Sequence, residues 1–160
     1  MNAYLLVKWL HIVSSVLLVG TGFGTAFYLY FANRSGDVRA IAVVARLVVR
    51  ADTWFTTPAV IFQPLSGLWL ADQAGWPLHT GWIAAALALF ALAGACWLPV
   101  LWLQLRMRDI AGDCAASGRG LPPNYWRFAR IWAWLGYPAF LAMLLALWLM
   151  VGKPDVFPPG

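Results

Sequence analysis

Glutamate is absent from this sequence, and charge of either sign is scarce: six aspartates and eleven Lys+Arg are 11% of 160 residues. A soluble domain carries about 25% charged residues. The shortage of charge, set against a hydrophobic fraction of 62%, excludes an ordinary water-soluble fold and a disordered chain. Two cysteines exclude a disulfide scaffold. No metalloprotease HExxH, CxxC or GxSxG pattern is present. Gly20 and Gly24 enclose a glycine-rich stretch, but it lies inside an apolar helix and suits close helix packing rather than a dinucleotide. What remains is a polytopic membrane protein, for which a basic balance concerns loops and not nucleic acid.

Crossing about 30 Å of hydrocarbon takes roughly 20 apolar residues. Four stretches qualify, at about residues 4–31, 53–71, 81–105 and 125–151. The expected fold class is therefore all-α: a single four-transmembrane-helix bundle over residues 1–160. Span 1 lacks a basic leader and a small-residue cleavage site, so it reads as retained rather than as a signal peptide. Asp52 and Asp72 bound span 2, and no carboxylate falls inside a span. That argues against a carboxylate ion pump or proton relay, and no repeat of broken helices marks a secondary transporter.

The basic residues orient the bundle. Arg34, Arg39, Arg46 and Arg50 follow span 1, and Arg106, Arg108, Arg119, Arg127 and Arg130 surround the connection of spans 3 and 4. Only Lys8 and Lys153 lie toward the other side. The positive-inside rule then places both termini outside and the two basic connections in the cytoplasm. Tryptophans near both ends of the spans read as aromatic belts. Residues 37–50 contain no glycine or proline, and Arg39, Arg46 and Arg50 share one helical face. This segment is expected to be an amphipathic helix, lying on the inner leaflet or extending span 2. Thr57-Pro58 reads as an N-cap with proline at the first helical position. Pro64, Pro99 and Pro138 sit deeper and favour kinks.

Few polar residues enter the spans. At 100° per residue Tyr4, Lys8, His11, Ser15, Leu18, Gly22 and Thr25 share a face of span 1, opposite Trp9, Val16, Phe23 and Phe27. That face should turn inward, because an ionisable group on lipid is costly. His11 has two readings. It is interhelical hydrogen-bonding glue, or it is the axial ligand of a haem b, with Ser15 and Gly22 leaving room for the macrocycle. Lys8 would then snorkel outward or pair with a propionate. The candidates for a second iron ligand are His79, in the outer connection before span 3, and Met143, in span 4 at a depth like that of His11. Gln63, mid-span beside Pro64, is expected to bond a neighbouring helix or a freed carbonyl.

Val7-Lys8-Trp9-Leu10-His11-Ile12, then Phe55-Thr56-Thr57-Pro58 with Gly67-Leu68, Gly81-Trp82 and Pro138, resemble the HemJ-type membrane protoporphyrinogen oxidases. Overall the chain resembles a broad uncharacterised family of bacterial predicted integral membrane proteins with four spans. The resemblance implies haem b at His11 and an inner-membrane location. Span 3 has Ala84 and Ala86 where the HemJ type has a functional histidine and lysine, so the resemblance carries the scaffold rather than the oxidase reaction. The expected function is a small haem b redox protein, with quinone or a porphyrin as a further partner. The alternative is a cofactor-free subunit that binds another membrane protein or a second copy.

Overall fold

The computed structural model describes residues 2–154. Five α-helices account for most of them: α1 Ala3–Ser35, α2 Val38–Ala51, α3 Thr57–Gln73, α4 Gly81–Ser117 and α5 Pro123–Gly152. A π-helical turn, Asp52–Thr56, joins α2 to α3 without a break. There is no strand among the described residues. Local chemistry sets the ends. The Asn2 side chain accepts from Tyr4 N at 3.1 Å, and Asp37 accepts from Arg39 N at 2.9 Å, each satisfying a free N–H of a first turn. Gly36, at φ 70°, stops α1 in a left-handed conformation that a side chain would resist, so α2 can turn back at once.

Three described helices, α1, α4 and α5, are long and apolar enough to cross a membrane. Their outward surfaces carry large apolar side chains such as Val16, Leu98, Trp134 and Leu141, all more than half exposed. In water such a surface would aggregate; against lipid tails it is at no disadvantage. With 33 and 37 residues, α1 and α4 extend about 50 and 55 Å at 1.5 Å per residue, well beyond the hydrocarbon layer. Their excess length lies at the arginine-rich end and is packed there. Ile41, Ala42, Ala45 and Val48 of α2 meet Leu29 of α1, Met107 and Ala111 of α4, and Tyr125 of α5 in one buried cluster. Arg39, Arg46 and Arg50 of α2 remain exposed. α2 buries its apolar face against α4 and α1 and continues through the π turn into α3, so it does not lie alone on a leaflet.

Tyr125, with no exposed surface, donates to Asn33 Oδ1 at 2.6 Å and ties the start of α5 to the end of α1. Tyr125→Phe leaves that acceptor short of a partner. It is expected to lower stability by about 1–2 kcal/mol, measured by denaturant unfolding in detergent. At the opposite end Lys153 Nζ lies 5.8 and 5.7 Å from the ring centres of Trp76 and Trp82. These contacts hold the end of α5 against the α3–α4 connection.

One expectation changes. Thr57 is not an N-cap: its φ and ψ are helical, and its hydroxyl donates backward to the Asp52 carbonyl at 2.9 Å. The helix does not restart there. Pro58 has no N–H to give and its ring crowds the carbonyl four residues earlier, and a widened π turn accommodates both. Asp52, which the sequence sets at the boundary of span 2, is only 3% exposed, whereas Asp72 at the other boundary is exposed.

The helices form two pairs. α4 packs along α5, and α1 along α3; α2 bridges α1 and α4 at the basic end. Toward the middle, contact between the pairs is slight, with Phe23 stacked on Phe140 at a centroid distance of 5.4 Å. A space is left between them.

Candidate binding site

Two polar groups occupy the interior, and they are separate. The first joins α1 to α3. His11 Nδ1–H donates to Ser66 Oγ at 2.7 Å, and the Ser66 hydroxyl donates to Phe62 O at 2.7 Å. With that hydroxyl proton directed at the carbonyl, Ser66 is left to accept from the ring. Its other nitrogen, Nε2, accepts from the Gln63 amide at 3.1 Å. Gln63 also donates to Ser15 Oγ, and the Ser15 hydroxyl returns to His11 O at 3.0 Å. Gly67 completes the contact: a Cβ there would lie 3.2 Å from His11 Cε1. The inward face expected for span 1 is the face that meets α3, with Ser14, Ser15 and Leu18 buried.

This arrangement does not fit axial haem ligation. Both ring nitrogens of His11 have protein partners, and its Cε1 edge lies against Gly67. An iron at Nε2 would have to displace Gln63. The other candidates do not converge on it. Ser15 belongs to the same network. Lys8 is exposed, with Nζ 6.0 Å from the Tyr4 ring centre, and His79 is exposed in the connection before α4. Gly22 and Met143 line a cavity of which His11, Ser15, Lys8 and His79 form no part. Among the described residues no group of three or more His, Cys, Asp or Glu is placed to hold a metal ion. A His11-dependent Soret band is therefore not expected from protein purified out of haem-replete cells. Absorption spectra of wild type and His11→Ala, before and after dithionite, check this.

The second polar group lies at the end of that cavity, which has a volume of about 340 Å³ and lies between the two helix pairs. Its walls are apolar: Leu18 and Phe23 from α1, Phe90 and Trp97 from α4, Phe140 and Met143 from α5. Pockets of a few hundred Å³ with apolar walls and a few placed polar groups are the usual form of small-molecule sites. The fully buried polar side chains on it are Asp52, Thr56 and Gln104, at 3%, 4% and 5% exposure, all at the basic end; Thr25, Tyr30 and Tyr137 also reach it. Thr56 Oγ1 donates to Asp52 Oδ1 at 2.7 Å. Thr56 and Gln104 both hydrogen-bond the Asp52 carboxyl. The Gln104 carbonyl oxygen, Oε1, is buried without a partner. Three glycines, Gly22, Gly94 and Gly136, face the space, and a Cβ on any of them would meet nothing within 4 Å.

Sequence reasoning reached His11, Ser15 and Gln63, and missed Ser66, Gly67, Asp52, Thr56 and Gln104. One signal was available for the last three. Asp52 and Thr56 stand four apart just before a Thr-Pro step, and Gln104 is a lone amide near the end of an apolar run.

Fold and site together define an all-helical integral membrane protein, apolar outside, with its polar groups turned inward. The chain belongs to the family described as Predicted integral membrane protein (DUF2269), which matches residues 5–154. No curated protein and no solved structure matches the chain.

Proposed function

We propose that the protein is a membrane-embedded receptor for an amphipathic small molecule, which it admits between its two helix pairs. The topology supporting this is four spans, with the π turn and α3 together forming the second. The 5 residues of the turn and the 17 of α3 extend about 33 Å at 1.5 Å per residue, enough to cross. Positive-inside bias then sets the arginine-rich end in the cytoplasm of a bacterial inner membrane, with both termini outside. The polar end of the cavity lies at the cytoplasmic interface and its apolar part reaches toward the bilayer centre. This is the orientation of an amphiphile in the inner leaflet.

The observation that carries the proposal is the cavity itself, apolar along its walls and closed at one end by three buried polar side chains. A diazirine-bearing alkyl probe in nanodiscs tests it. Crosslinks are expected on Phe90, Trp97 and Met143 inside the cavity. Labelling confined to lipid-facing positions such as Leu98 and Leu141 would overturn it.

A further inference from the structure

Asp52 is a buried carboxyl without a cation. The one ion pair among the described residues is Arg108 with Asp109, on the surface. The flanking basic side chains are held elsewhere: Arg50 is exposed, Arg106 lies 5.5 Å from the Trp102 ring centre, and the Arg34 guanidinium lies 5.8 Å from the Tyr30 ring centre and donates to Tyr30 Oη at 3.3 Å. A carboxylate removed from water without a counter-charge is destabilising by several kcal/mol. Thr56 and the Gln104 amide each supply a hydrogen bond to it, and neither brings a charge. Beside it the Gln104 carbonyl oxygen is a buried acceptor with nothing to accept. All three side chains line the same cavity end, which therefore holds a carboxyl with no counter-charge beside an unused acceptor. Trp97 and Trp132 line the wall as well, and indole rings attract cations where water is excluded.

We propose that the head group recognised here is a protonated amine on an apolar chain. Its N–H groups would donate to the Asp52 carboxylate and to Gln104 Oε1, while the chain fills the cavity toward Phe90 and Met143. The amine supplies both things the site lacks, a positive charge and hydrogen-bond donors. An anionic head group would add charge to Asp52, and a neutral alcohol would leave the carboxylate uncompensated. This inference rests on the cavity reading given above and goes further by assigning a ligand class.

Competition against the diazirine probe in nanodiscs tests it, with 1-dodecylamine and 1-dodecanol as competitors and Gly94→Leu as the blocked-cavity baseline. Dodecylamine is expected to displace the probe at least tenfold more effectively than dodecanol. Asp52→Asn keeps an acceptor for Thr56 but loses the charge, and should reduce the amine to the level of the alcohol while leaving the alcohol unchanged. Gln104→Leu, which retains volume, should reduce the amine's advantage several-fold and serves if Asp52→Asn does not fold. Equal competition by amine and alcohol in wild type, or an amine advantage that survives both substitutions, would overturn the head-group assignment while leaving the cavity intact. A probe that never labels the cavity overturns both.

Discussion

His11→Ala is expected to lower stability by about 2–3 kcal/mol, the largest loss from any single polar substitution in the protein. Hydrogen bonds between transmembrane helices average about 0.6 kcal/mol, with a maximum near 1.7, and His11 makes two of them, to Ser66 and Gln63. The alanine removes both and leaves a void between α1 and α3. Gln63 is the partner left worst off, because its Oε1 is already buried and unpaired. A half-satisfied buried network is worse than an apolar one. The double variant His11→Leu/Gln63→Leu should therefore recover much of the loss. A double-mutant cycle in detergent measures the coupling. Additive effects of the two single substitutions would show that the network does not act as a unit.

Gly94→Leu should have the opposite sign for stability and the largest effect on binding. A Cβ at Gly94 meets nothing within 4 Å, so the leucine enters open space. Replacing glycine by leucine in a helix also gains roughly 0.5–1 kcal/mol from propensity. Filling the cavity is expected to reduce crosslinking inside it by more than tenfold while the unfolding midpoint rises. Gly136→Leu, on the adjacent helix α5, should behave in the same way. A stabilised protein that still takes up the probe would mean that the probe binds elsewhere. Loss of stability would mean that the cavity is smaller than described.

Much of the fold could be read from the sequence, because hydrophobicity and arginine placement are local signals. The face of α1 that meets α3 follows from turning the helix 100° per residue, which put His11 and Ser15 together. Their partners on α3 were less visible. Gln63 stood out as an amide in an apolar run, but Ser66 and Gly67 are ordinary residues in a transmembrane helix, and only packing shows that they enclose the imidazole. That enclosure bears on how His11 is used, and no spacing rule contains it. The burial of Asp52 was not legible, for a physical reason. A charged residue at the edge of an apolar run normally marks the interface, and periodicity assumes a regular α-helix. The π turn adds a residue to one turn and so changes the side on which the chain continues. That shift, caused by Pro58, leaves Asp52 and Thr56 facing Gln104 in the interior.

Native mass spectrometry of the protein ejected from nanodiscs tests the central claim most directly. Wild type is expected to carry one tightly held amphipathic molecule per chain, and Gly94→Leu to carry none. An identical adduct pattern on the two proteins would contradict the account.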